Sequence, residues 1–162
     1  MLDLVTRATQ LAALLKQRGE TVAVAESSTG GLISATLLAV PGASAYFIGG
    51  AVIYTAAARR ALLGISDQAM TGMRASTEAY ALLVARTARE RFATNWAIAE
   101  TGAAGPTGNR YGDAAGHSCI AVAGPAERAI TIETGRTDRF GNMSAFTASA
   151  LDLLMEMLGG AR

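Results

Sequence analysis

The sequence predicts an α/β fold: a three-layer α/β/α sandwich built on a mixed, mostly parallel five-stranded sheet. Three observations carry this reading. Apolar runs of strand length alternate with amphipathic runs of helix length through most of the chain. Glycine and proline punctuate the junctions between them. Near the C-terminal end, two strand-like runs follow one another with a four-residue connection, which reads as a hairpin and adds an antiparallel strand to a parallel sheet. With 162 residues, 51% of them hydrophobic, the chain is expected to form a single domain over 1–162 with a full core.

The elements follow in order. Leu4, Ala8, Leu11 and Leu15 recur at helical spacing, so 2–18 is read as an amphipathic helix stopped by Gly19. The run 21–25, TVAVA, is a buried strand. A junction of small and polar residues follows, and then a helix over 32–40, ended by Pro41-Gly42. A second strand covers 46–55, where Gly49-Gly50 marks a bulge or a close backbone approach. AAARRALLGI is a short helix closed by Gly64. A longer helix covers 76–91, with Ser76 as its N-cap. WAIAETG is the third strand, followed by a glycine-rich loop. HSCIAVAG and RAITIET are strands four and five, and 142–158 is a final amphipathic helix, with Asp138 and Arg139 assigned to its N-terminal turn.

Bulk properties exclude several classes of function. A formal charge of +1 gives no basis for binding nucleic acid or a membrane surface. One cysteine, Cys119, rules out an internal disulfide and fits a reducing, cytoplasmic setting. The first twenty residues carry Asp3 and Arg7 and lack the long apolar centre of a signal peptide. No apolar run approaches the length of a membrane span.

Functional loops of a parallel sheet collect at the carboxyl ends of its strands. Here that rim receives AESSTGG after strand one, YTAAARR after strand two and ETGAAGP after strand three. Gly30-Gly31 at a strand-to-helix turn lets the backbone approach a ligand, and the helix N–H groups beyond it can hold an anion or oxyanion. Ser27, Ser28 or Thr29 can then serve as nucleophile or phosphate contact; equally, they can simply cap the helix. The junction is neither a Walker loop nor a GxSxG elbow. TGAAGPTG is either a second ligand loop or an ordinary surface loop. Glu26 and Glu100 each end a strand at this rim, where each is open to being a buried acid, a cap or an arginine partner. Arg59-Arg60 reads as a solvated pair or a phosphate contact, and Trp96 and Cys119 read as core. His117, the only histidine, lacks a ligand set at metal-binding spacing, so no metal is expected.

Taken together, AESSTGG, PGASAYFIGGAVIYTAAARRALLGI and TGAAGPTG resemble the C-terminal domain of the competence/damage-inducible protein CinA, over nearly the whole chain. That family also occurs as the stand-alone enzyme nicotinamide-nucleotide amidase. The resemblance implies the α/β/α fold. It also implies hydrolysis of the carboxamide of nicotinamide mononucleotide to nicotinate mononucleotide and ammonia, by a serine helped by a lysine. Matched position by position, the implied serine is Ser27, the family's cysteine is Ser28, and Thr29, Gly30 and Gly31 are retained. The family's Tyr-Ser-Asn-Glu-Ala-Lys stretch falls on Tyr54, Thr55, Ala56, Ala57, Ala58 and Arg59. Arginine stays protonated and cannot replace lysine as a base; the sole lysine, Lys16, lies on the first helix. The second loop departs as well, with Gly108-Asn109 and then Asp113-Ala114-Ala115-Gly116 where the family has glycines and a Lys-Pro-Val-Gly segment.

Two readings follow. In the first, an amidohydrolase, Ser27, Tyr54 and Arg59 form the catalytic group. Glu26, Ser28, Thr29, Gly30, Gly31, Thr101, Gly102, Gly105, Pro106 and Gly108 bind the substrate, and Tyr54, water or Glu26 replaces the missing base. In the second, a degenerate homologue keeps the nucleotide site, with Arg59 on the phosphate, as a binding or regulatory module. Under both, the partner is a small-molecule nucleotide, neither nucleic acid nor membrane is a partner, no cofactor is required, and a homo-oligomer is allowed.

Overall fold

The computed structural model describes residues 2–160. In chain order the elements are α1 (Leu2–Arg18), β1 (Val22–Glu26), α2 (Leu32–Leu38), β2 (Phe47–Val52), α3 (Ala56–Ala58), α4 (Glu78–Phe92), β3 (Trp96–Ala103), β4 (His117–Ala123), β5 (Glu127–Glu133) and α5 (Arg139–Gly160). α3 is a single turn that widens into a π-helical turn over Arg59–Leu63 and ends at Gly64, φ +64°.

The strands form one five-stranded sheet in the order β2-β1-β3-β4-β5. β1 pairs in parallel with β2 and β3, whereas β3–β4 and β4–β5 are antiparallel. The sheet is therefore mixed rather than mostly parallel, and the sequence reading needs correction there. The physical reason lies in the connections. β1 to β2 and β2 to β3 cross over through helices, which returns the chain to the same end of the sheet. β3 to β4 runs through the loop 104–116 with no helix, so β4 comes back antiparallel, and a hairpin then reverses the chain again into β5.

Helices cover both faces, and the two faces differ in bulk. Val22, Val24, Trp96, Ile98, Ile120 and Val122 pack beneath α1, α2 and α5. Ala25, Ala97, Ala99, Ala121 and Ala123 form the opposite face, whose small side chains let α4 lie close through Ala81, Ala85 and Ala88. Side chains alternate along a strand. Glu26 and Glu100 thus share the face of Val24 and Ile98, and they sit opposite each other in the β1–β3 register.

Gly49-Gly50 is both a bulge and a close approach. The register passes from Val22–Phe47 to Ala23–Gly49, leaving Ile48 as the extra residue. A Cβ at Gly50 would lie 2.2 Å from the Ser34 hydroxyl, and one at Gly49 2.8 Å from the Phe92 ring. α4 is capped by Thr77, whose hydroxyl accepts the Tyr80 N–H at 3.3 Å, and not by Ser76. Ser76 instead takes a left-handed φ of +59° and donates its N–H to Thr101 Oγ1 at 3.1 Å. α5 begins earlier than its periodicity suggests, at Arg139, because the Asp138 carboxylate accepts the Gly141 N–H at 3.1 Å. Among the described residues no helix is long and apolar enough to cross a membrane.

Candidate functional site

The carboxyl ends of β1, β2 and β3 open onto two adjoining cavities. The larger, about 430 Å³, has Ser27, Thr101 and Gly102 on the sheet side, Tyr54 and Arg59 on one flank and Asn109–Tyr111 on the other. The smaller, about 250 Å³, is bounded by Ser28, Gly105, Thr107, Gly108 and Arg139. Tyr54, Gly102 and Asn109 line both. Ser27, Tyr54, Arg59, Thr101 and Gly102 are thus brought together in one cavity, and Ser28, Gly105 and Gly108 in its neighbour. Pro106, joined to Gly105 by a cis bond, is exposed and lines neither. Glu26 and Thr29 are buried behind the site, and Gly30 and Gly31 form its left-handed turn at φ +63° and +101°.

Glu26 explains why the junction turns as it does. Its carboxylate accepts the N–H groups of Gly31 (2.9 Å), Ile33 (3.1 Å) and Ser34 (3.0 Å), and the Ser34 hydroxyl at 2.7 Å. These are the orphan donors at the start of α2. The anion or oxyanion site expected from the helix N–H groups is therefore already filled by the chain's own carboxylate, and Glu26 is a cap rather than a substrate contact or a base. Glycines at 30 and 31 allow the chain to fold back over that carboxylate. From Ser27 to Ser34, the Ser28 N–H alone has no acceptor among the described residues.

Glu100 is also almost fully buried, at 1% exposure. It accepts the N–H groups of Thr29 (3.0 Å) and Ser27 (3.2 Å), the Ser118 hydroxyl at 3.0 Å, and the Ser28 hydroxyl in a short contact. Burial pushes its pKa above the ordinary carboxylate range, against the opposing pull of these donors. Thr29 Oγ1 stands between the two acids, 2.7 Å from Glu26 and 3.1 Å from Glu100. Its single proton can serve only one of them.

Arg59 is not the solvated residue or free phosphate contact expected of it. It is buried, with Nε donating to the Ile65 carbonyl at 3.1 Å and Nη2 to Asp67. Arg60 joins the same carboxylate at 2.9 and 3.0 Å, and the two arginines, Arg60 foremost, hold the Asp67 pKa down. The π-turn causes this arrangement by turning residue 59 back toward the loop after Gly64. Tyr80, also lining the cavity, has its phenol pKa raised by burial, with Arg59 pulling in the opposite direction.

A further cation, Arg139 at the start of α5, lines the smaller cavity, although sequence reading placed it only in the last helix's first turn. It donates Nη1 to the Gly105 carbonyl and Nη2 to the Tyr54 hydroxyl at 3.3 Å. Arg110, which lines the larger cavity, lies 5.8 Å from the Tyr111 ring centre. Neither arginine is paired with a carboxylate among the described residues. The loop carrying Arg110 is fastened by Asn109, which accepts the N–H groups of Tyr111 and Asp113, and by Asp113, bound to Arg74 at 2.7 Å. Arg74 accounts first for the lowered pKa of Asp113. Behind the cavity, His117 Nε2 contacts the Ser76 carbonyl at 2.9 Å and Nδ1 contacts Glu133. Both partners offer acceptor oxygens, which favours the doubly protonated ring. Burial opposes that charge, but Glu133 and Ser76 outweigh it and the pKa is raised.

The family model described as the CinA C-terminal domain matches residues 5–158. A CinA-like protein of Gloeobacter violaceus is 42% identical over 151 residues, covering 92% of this chain and 35% of that protein. One from Prochlorococcus marinus is 47% identical over 112 residues, 69% of this chain and 26% of its own length. The chain thus spans about a third of the length of the curated relatives it matches. Among solved structures, the competence/damage inducible protein CihA from Agrobacterium tumefaciens superposes with a TM-score of 0.89 at 31% identity, covering 97% of this chain and 96% of that one. A CinA superfamily protein from Klebsiella pneumoniae gives 0.91 at 25% identity, covering 97% and 98%. A family match over nearly every residue, on a fold whose strand ends gather the AESSTGG and TGAAGPTG loops, leads to one conclusion: this chain belongs to the CinA C-terminal domain family.

Proposed function

We propose that the chain is a nicotinamide-nucleotide amidohydrolase, which cleaves the carboxamide of nicotinamide mononucleotide to nicotinate mononucleotide and ammonia. The observation that carries this is the pair of adjoining cavities, walled by the serines of the junction and flanked by two arginines without acidic partners. Their size suits a mononucleotide, and an unpaired guanidinium suits its phosphate. Family membership supplies the reaction class. A serine hydroxyl attacks the carboxamide carbon, a base takes its proton, and the same proton returns to the departing nitrogen as ammonia leaves. The family pattern puts the attacking hydroxyl at Ser27, beside Tyr54, with no metal or cofactor needed. Arg110 and Arg139 take the anionic end of the nucleotide. The deciding experiment is ammonia release from nicotinamide mononucleotide by the purified protein. Turnover abolished by alanine at both Ser27 and Ser28 supports the reading, and a protein that neither binds nor hydrolyses the nucleotide refutes it.

One observation favours the second reading, a nucleotide-binding module without turnover. Arg59 occupies the lysine position, is fixed to Ile65 and Asp67, and cannot accept a proton. Calorimetric binding of the nucleotide with no ammonia released selects that reading.

A further inference from the structure

Resting on the amidohydrolase reading, we propose that the hydroxyl activated in this chain is that of Ser28, with Glu100 as its general base. The two serines are not equivalent. Ser28 Oγ donates directly to Glu100, whereas the Ser27 hydroxyl has no base within hydrogen-bond distance among the described residues. The other candidate bases are committed elsewhere. Glu26 is held by α2 and Arg59 by Asp67. Lys16 binds the Pro41 carbonyl at 3.0 Å on α1.

Glu100 suits the role on three counts. The Ser27 and Thr29 N–H groups and the Ser118 hydroxyl fix its carboxylate from three sides, so its orientation toward Ser28 is preset. It has no cation partner among the described residues, so only neutral hydrogen-bond donors oppose the rise in basicity that burial causes. Burial raises its proton affinity toward that needed to deprotonate an alcohol. Ser28 in turn lines the smaller cavity, which Arg139 also lines, and its own N–H is free to receive an oxyanion.

The step balances as follows. The Ser28 Oγ–H bond breaks and its proton goes to Glu100 as Oγ bonds to the carboxamide carbon. Glu100 then protonates the nitrogen, the C–N bond breaks, and ammonia leaves an acyl ester on Ser28. A water molecule, its proton taken by Glu100, attacks the ester. The C–O bond to Ser28 breaks, the proton returns to Oγ, and the carboxylic acid departs.

An alkyl fluorophosphonate tests this independently of the natural substrate. Serine Oγ displaces fluoride from phosphorus, the proton passes to Glu100, and the labelled residue is read by peptide mass spectrometry. The expected result is label on Ser28 and none on Ser27. Its rate should fall by about a hundredfold or more in Glu100→Gln, with part retained in Glu100→Asp. Circular dichroism confirms that each variant is folded; should Glu100→Gln not fold, the wild-type labelling site and the Glu100→Asp rate decide. Label on Ser27, no label on either serine, or undiminished labelling of folded Glu100→Gln overturns the proposal. Ser28 labelling together with no ammonia from nicotinamide mononucleotide leaves the serine–glutamate pair standing and removes the substrate assignment instead.

Discussion

At position 59 an arginine lies where the family pattern has a lysine, and its surroundings decide what it does. Two of its donors are taken by Ile65 and Asp67, so Arg59→Ala is expected to reduce stability by about 1–3 kcal/mol, read by urea denaturation. It should alter nucleotide affinity less than about threefold. Arg139→Ala, removing a guanidinium that lines a cavity and lacks an acidic partner, should weaken nicotinamide mononucleotide binding by about one to two powers of ten, read by calorimetry. His117 provides a pH test. Its folded-state pKa is raised, so the native state holds a proton that the unfolded chain releases above about pH 6.5. The associated stability is fully present below that value and is lost as pH rises through the folded pKa. Urea denaturation should therefore show wild-type stability falling as pH rises above about 6.5, and His117→Gln should flatten that fall. Sequence spacing could not reveal these roles. Glu100 lies 73 residues from Ser27 and Arg139 lies 34 from Gly105, so only the folded sheet brings each pair together. Glu26 is different. A carboxylate at a strand end, five to eight residues before the N–H groups it accepts, is a local signal of a capped helix.

At the scale of elements, α2 depends most on a single side chain. It has seven residues, too few to be stable alone, and its N-terminal donors converge on Glu26. Glu26→Ala leaves the buried N–H of Ile33 and the partly buried N–H groups of Gly31 and Ser34 without their acceptor and should cost about 2 kcal/mol or more. Glu26→Gln, which keeps one accepting oxygen, should cost less in the same denaturation series. Most element boundaries were legible because periodicity and glycine stops coincide, as at Gly19 and Gly64. The helix at 78–92 was misjudged at its start because Ser76, a good cap by type, is held in a left-handed conformation by Thr101 and leaves the capping to Thr77.

For the molecule as a whole, alternating elements were enough to identify the α/β class and five strands, but pairing direction was not. Whether the chain returns parallel or antiparallel depends on what the glycine-rich loop 104–116 does, and its composition does not distinguish a crossover from a direct return. Because the cavities are walled by the ends of β1, β2 and β3 and by α5, a bound nucleotide should stabilise the entire fold. At a hundred times its dissociation constant the gain is about 2.7 kcal/mol, roughly 5–10 °C in melting temperature for a chain of this size, measurable by calorimetric scanning.

The sheet order leaves two strands without an outer neighbour, and they are protected unequally. β5 is studded with Glu127, Arg128 and Glu133, charges that repel an incoming strand. β2, with the sequence FIGGAV, carries no charge and exposes Ile48 and Val52. Its defence is the bulge at Ile48, a distortion that lasts only while β1 holds the register. Partial unfolding that frees β2 from β1 also straightens this edge, so aggregation of the warmed protein should begin there. Ile48→Lys should then delay turbidity on heating while leaving the melting temperature nearly unchanged.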